Sequence, residues 1–208
     1  STFTFNGGKL QANADNTTFM QGLTTATVQA GGAVIDSSSN VITVAQALLD
    51  GGTGGGLTKL GTGSLILSGA STYTGATTVS NGTLRINGSI GTGAVAVENG
   101  GAIGGSGTVG GNVAIKAGGA LNPGGAAATI GTLAVSGDMN IAGNLAVDVN
   151  TASLPTSDGA NITGGLTNTG SGIITVANLG PALAGGESFQ LFNKPVVGGA
   201  TLTFAGTP

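Results

Sequence analysis

Any acid–base chemistry in this 208-residue chain would have to come from eight carboxylates, five cations and one phenol. The carboxylates are Asp15, Asp36, Asp50, Glu98, Asp138, Asp148, Asp158 and Glu187. The cations are Lys9, Lys59, Arg85, Lys116 and Lys194, and the phenol is Tyr73. Histidine and cysteine are absent, which excludes Ser-His-Asp and Cys-His nucleophiles, thiolate metal sites and disulfides. Glycoside hydrolysis needs two carboxylates held a fixed distance apart across a sugar. The acids here are dispersed singly beside turns; Asp138 and Asp148, ten residues apart, are spaced so that neighbouring turns of a repeating fold could align them. Solvated turn carboxylates are the simpler reading. A β-helical polysaccharide lyase would need clustered acidic calcium ligands and a base. The only arginine, Arg85, reads instead as an outward strand residue with no acidic neighbour in sequence.

The glycines offer no alternative chemistry. No Gly-Lys-Ser/Thr follows them to make a phosphate loop. Gly104-Gly105-Ser106-Gly107-Thr108 lacks the aspartate of calcium-binding nonapeptides. The sequence therefore predicts no catalytic, cofactor or metal residues and no enzyme.

The elements that position these side chains are clearest between Leu57 and Gly88, LTKLGTGSLILSGASTYTGATTVSNGTLRING. Leu65 and Leu67 alternate with Ser64, Ile66 and Ser68, and Val79, Leu84 and Ile86 repeat the alternation after Gly75 and after Asn81-Gly82. Short alternating runs between glycine turns are strands. The stretch resembles the passenger-associated transport repeat, also called the autotransporter-associated β-strand repeat, of bacterial surface and secreted proteins. The residues that carry the resemblance are Leu57-Thr58-Lys59, Gly61, Gly63, Leu65, Leu67, Ser68-Gly69, Thr72-Tyr73-Thr74-Gly75, Thr77-Thr78-Val79 and Gly82-Thr83-Leu84. The flanks Phe3-Thr4-Phe5-Asn6-Gly7-Gly8 and Glu187-Ser188-Phe189-Gln190-Leu191-Phe192 also resemble long secreted proteins built from such repeats. The resemblance implies a right-handed parallel β-helix exported from the cell, at the bacterial cell surface or beyond it.

Composition agrees with an all-β solenoid. Glycine accounts for 43 residues without the three-residue period of collagen. Hydrophobic residues make up 39% and charged ones 6%, the reverse of the balance that keeps a chain disordered. Aromatics are 3% and tryptophan is absent, so Val, Ile, Leu and Ala must form the core. A net charge of −3 with five scattered cations provides no basic face, which argues against nucleic acid. No apolar stretch is long enough to span a bilayer and no signal peptide is present, so the chain reads as a mature or excised piece of a longer precursor.

Along the chain, strand-like triplets follow glycines throughout. Leu133, Met139 and Leu145 are six residues apart, as three strands closing one coil would require. Three such strands give coils of about twenty residues. We expect a single β-solenoid over 1–208, with N-terminal coils at 1–50, glycine-rich repeat-bearing coils at 51–150 and C-terminal coils at 151–208. Val44–Asp50 has some helical propensity, but its β-branched entry and Gly51-Gly52 exit favour a strand. The polar stretch Thr151 to Gly159 is expected to project. Asn6, Asn81, Asn87, Asn99, Asn112, Asn122 and Asn144 are expected near turns, stacking as amide ladders. With Tyr73, these amides are the one conceivable route to surface glycans.

Both ends are apolar and strand-like. Phe19, Met20 and Leu23 read either as an end cap or as core. Phe3, Phe5, Leu202 and Phe204 are the expected end-to-end contact of a head-to-tail homopolymer, a surface or matrix fibre. Two alternatives stay open: ends that continue into a longer precursor, as in an autotransporter passenger stalk, and a polysaccharide-active enzyme.

Overall fold

The computed structural model describes residues 1–124, 129–198 and 202–205, with the backbone alone for Phe204 and Ala205. Its elements are short strands wound into successive coils. The first three coils contain β1 (Thr2–Phe5), β2 (Lys9–Gln11) and β3 (Asn16–Met20), then β4 (Thr25–Val28), β5 (Ala33–Asp36) and β6 (Val41–Val44), then β7 (Leu48–Asp50), β8 (Leu57–Leu60) and β9 (Ser64–Leu67). The middle of the chain supplies β10 (Thr77–Val79), β11 (Gly82–Ile86), β12 (Ser89–Ile90), β13 (Val95–Val97), β14 (Gly101–Gly105) and β15 (Thr108–Val109). Next come β16 (Val113–Ile115), β17 (Ala120–Pro123), β18 (Thr132–Val135), β19 (Met139–Ile141), β20 (Asn144–Val149) and β21 (Gly159–Ile162). β22 (Leu166–Asn168), β23 (Ile173–Asn178) and β24 (Thr203–Ala205) end the described chain.

Strands of successive coils pair in parallel. One wall is the 8-stranded sheet β2-β5-β8-β10-β13-β16-β19-β22 and a second is the 9-stranded sheet from β3 to β24. The third wall is built by β1-β4-β7 and then by β12-β15-β18-β21. The architecture is an all-β parallel solenoid, consistent with the right-handed crossover that such connections adopt.

The inward positions stack like on like. In the longer sheet Ile42, Leu65, Leu84, Ile103, Leu121, Leu145 and Ile174 sit directly above one another, and all are buried. Alternation produces this ladder: a strand turns successive side chains to opposite faces, so Leu65 and Leu67 enter the core while Ser64 and Ile66 face outward. Leu133, Met139 and Leu145 fill one coil from its three walls, as their spacing predicts. Val44–Asp50 is strand at both ends and contains no helix.

Coil length is uneven. Leu57 stacks on Thr77 and Thr77 on Val95, steps of 20 and 18 residues. Towards the C-terminus the steps from Val113 to Met139 to Leu166 are 26 and 27 residues. Tight corners make the shorter steps feasible. Gly61, between β8 and β9, has φ +81, and a Cβ there would lie 2.4 Å from the Ser38 amide nitrogen. Only glycine fits such a corner.

The two ends differ. β1, β2 and β3 are the outermost strands of their sheets, each paired on one side only. The last coil is overlaid by residues 190–198: Ala160 donates its N–H to Leu191 O at 2.9 Å, and Val197 bridges Thr167. Lys194 Nζ donates to Thr163 O at 2.9 Å, and Asn193 exchanges hydrogen bonds with the Ile162 backbone. The C-terminal end, which reads as apolar in sequence, is thus overlaid by a charged and an amide side chain.

Candidate functional site

Two clusters of polar side chains depart from the aliphatic pattern. The first lies in the repeat-like stretch, whose two halves stack on each other: Leu57–Lys59 on Thr77–Val79, and Ser64–Leu67 on Thr83–Ile86. Lys59 occupies an inward position between Ile35 and Val79 and is fully buried. Its ammonium donates to the carbonyls of Leu60 at 2.9 Å, Gly61 at 2.8 Å and Asn81 at 3.1 Å. Three protons meet three acceptors, so the buried charge is fully satisfied. Burial lowers its pKa to about 8, partly opposed by Asp36. Asp36 accepts the Ser38 N–H at 2.8 Å, which holds its own pKa below the usual value, helped by the ion pair with Lys9 at 3.2 Å.

Tyr73 is the other polar group inside the repeat. It is 1% exposed, and its hydroxyl lies 2.7 Å from Thr77 Oγ1, itself buried. Burial raises the phenol's pKa well above its ordinary value. The route to glycans through Tyr73 is therefore corrected: the ring is core, not a platform. Leu57, Leu65, Leu67, Val79 and Leu84 are core as well. Gly61, Gly63, Gly69, Gly75 and Gly82 each lie so close to an adjoining coil that a Cβ would meet backbone. Thr72 Oγ1 accepts the Asp50 N–H at 3.4 Å, and the exposed Thr74 flanks the Gly75 corner.

The second cluster joins Arg85, Asp148 and Asp158. Asp158 is fully buried at the start of the last β12-β15-β18-β21 wall segment. Its Oδ1 accepts the Gly131 N–H at 2.8 Å and its Oδ2 accepts the Asp148 N–H at 3.0 Å. Its own N–H returns to Asp148 O at 2.8 Å. Arg85 reaches the cluster from β11 by passing outside Gly104, and its Nη1 donates to Gly124 O at 3.1 Å. Burial and the neighbouring Asp148 raise the Asp158 pKa to about 6, against the pull of the two backbone N–H groups and Arg85. Burial likewise lowers the Arg85 pKa, opposed by Asp158 and then Asp148.

These contacts revise several expectations. Arg85 faces outward on its strand and has no acidic neighbour in sequence, as expected, but the fold brings Asp158 and Asp148 within electrostatic reach of it. The carboxylates brought together are Asp148 and Asp158, whereas Asp138 stays apart and accepts the Gly165 N–H at 2.6 Å. Asp158 is not a solvated turn residue. The projecting stretch is shorter than expected, because Ser157, Asp158 and Gly159 are buried while Leu154 is 95% exposed. Asn122 lies within β17. Instead of stacking amide on amide, Asn6, Asn112 and Asn144 accept backbone N–H groups of the next coil, from Gly31, Asp138 and Ile173.

Each oxygen of Asp158 accepts a backbone N–H, and Lys59 is fully buried. Among the described residues no three acidic side chains gather to hold a metal ion. An open groove of about 420 Å³ on the outer face of the β13-β16-β19-β22 wall is lined by one titratable group, Asp138.

At the N-terminal end, Phe3 stacks over Ala26 and points into the core, yet remains 37% exposed because no coil covers it. Leu10, Phe19 and Leu23 share this mouth, with Met20 buried at its floor. Phe5 is 2% exposed and is likewise floor, so it is removed from the expected end contact. Leu202 packs half-buried against the core, and the Phe204 side chain lies outside the described residues.

The comparison with protein families agrees with this geometry. The passenger-associated-transport-repeat family matches residues 57–86, the stretch whose halves stack on each other. No curated protein matches the chain. The chain is a β-solenoid carrying a repeat of autotransporter-associated, surface- or secreted-type proteins, which supports a location outside the cell or at the bacterial cell surface.

Proposed function

We propose that this chain is a non-catalytic structural rod that stacks head to tail on further copies of itself, building a surface or matrix fibre. The observation that carries the stacking is the N-terminal mouth. Phe3 is turned towards the core but more than a third exposed, Leu10 and Phe19 beside it are only half-buried, and β1, β2 and β3 each present an unpaired edge. Free strand edges around exposed core template the addition of another coil. At the other end β24 is, among the described residues, the edge strand of the same parallel sheet that β3 begins, so a second copy would continue the sheet without reversing direction. Such a contact joins unlike surfaces and does not close, which yields filaments.

The sealed last coil favours a second reading. Asn193 and Lys194 occupy acceptors that a stacking partner would otherwise pair, as suits a stalk that ends or presents another domain. Electron microscopy and sedimentation of the purified chain decide between them. Filaments with an axial repeat near one subunit's length support the fibre; isolated short rods at high concentration overturn it and leave the stalk.

A further inference from the structure

Between β20 and β21 the chain leaves the solenoid wall as a small antiparallel loop. Val149 bridges Ser157, and Asn150 donates its N–H to Thr156 O at 2.7 Å. Asn150 Oδ1 accepts the Ala152 N–H at 2.9 Å, which orders the way to the exposed tip at Leu154. The loop's base is the Asp148–Asp158 pair. There the Asp158 carboxylate ties three places in the chain together: β20 through the Asp148 N–H, the entry to β18 through the Gly131 N–H, and β21, which follows it.

The charge count at this base is unbalanced. Two carboxylates face one guanidinium, and the Nη1 proton of that guanidinium goes to a peptide carbonyl, Gly124 O. The other elements packed here add nothing to the balance: β14, β17, β18 and residues 190–192 contain no charged side chain. Asp158, fully buried beside the half-buried Asp148, takes up a proton more readily than the same carboxylate in water.

We propose that the Asp148–Asp158 base is a proton-operated latch: it holds the 149–157 loop closed in mild acid and lets it open more often as the pair ionises. In the open loop both carboxylates are hydrated and titrate as ordinary acids. In the closed loop the buried Asp158 holds its proton to higher pH. Closing therefore takes up a proton, and the closed form gains as pH falls through the closed-state value near 6. The gain is complete below the ordinary carboxylate range. What the latch governs is the order of the loop that carries Leu154, the most exposed large apolar side chain described.

Amide hydrogen exchange on the intact chain tests this. The Gly131 and Asp148 amides are the readout, because both donate to Asp158. After correction for intrinsic exchange, their protection should rise about fourfold from pH 7.5 to 5.5. Asp158→Asn should flatten that dependence. Asp148→Asn, which removes the like charge while leaving the Asp158 carboxylate, should move it to lower pH. Protection that is equal at both pH values, or greater at pH 7.5, overturns the latch even if the Asp158 variant does not fold. An Asp148→Asn profile identical to that of the unaltered chain overturns it as well.

Discussion

A lysine in an aliphatic ladder must be held by something stronger than packing, and Lys59 is held by three peptide carbonyls, two at the β8–β9 corner and one at the β10–β11 corner of the next coil. Lys59→Met keeps the volume but leaves those carbonyls without their donor, at a net cost of about 2 kcal/mol at pH 7, read as a lower urea midpoint. The pH dependence has a definite sign. Because the folded pKa, about 8, lies below the ordinary 10.5, the unfolded chain binds more protons between these values. Stability from this group therefore rises as pH climbs from 8 towards 10, and the rise should vanish in Lys59→Met. Tyr73 does not mask the effect, since its raised pKa acts only above the ordinary phenol value. Tyr73 itself invites a cycle with Thr77. Tyr73→Phe strands a buried hydroxyl and should cost about 1 kcal/mol, whereas Tyr73→Phe with Thr77→Val removes both partners and should cost less than the two single changes summed. Additive losses would mean that the 2.7 Å contact is not a coupled hydrogen bond.

At the scale of elements, stability depends on how closely the coils approach. At Gly104 a Cβ would lie 1.7 Å from Asn122 O, in the slot over which Arg85 passes. Gly104→Ala must therefore part β14 from β17, and we expect a loss of about 3 kcal/mol or more in chemical denaturation. Gly8→Ala, where nothing lies within 4 Å and φ is not positive, should stay within about 0.5 kcal/mol. Equal effects would show that the glycines merely relieve chain entropy. The strands themselves were legible in the sequence because alternation is local: Leu65 and Leu67, or the six-residue steps through Leu133, Met139 and Leu145, need only period two and a turn. The Arg85 cluster was not. Arg85 donates to a carbonyl 39 residues away, and which side chains stack depends on coil lengths that run from 18 residues, Thr77 to Val95, to 30, Ile173 to Thr203. Lys59 was hidden for another reason. It follows the inward phase set by Leu57, but a lysine in that phase reads as outward unless the corner carbonyls that accept its protons are known.

The whole molecule is a stack in which each coil contacts mainly its neighbours, so its behaviour is set largely at its ends. The N-terminal mouth exposes aromatic and aliphatic core together with three strand edges, while the opposite end is partly closed by Asn193 and Lys194. If copies join through the mouth, Phe3 is the side chain to alter. It packs edge-on against Phe5, with ring centroids 4.8 Å apart, and is more than a third exposed, so an aspartate there can reach water in the single rod. In a stacked pair that aspartate would be buried beside unpartnered aliphatic groups, and an unpaired buried charge costs several kcal/mol. Phe3→Asp should therefore abolish filaments seen by electron microscopy while leaving the circular dichroism of the rod unchanged. Because the contact is apolar and the chain carries few charges, association of the unaltered protein should change little with added salt. Filaments that persist in Phe3→Asp would place the junction elsewhere, and filaments that dissolve in moderate salt would mean that charged contacts between copies, not the open core, hold them together.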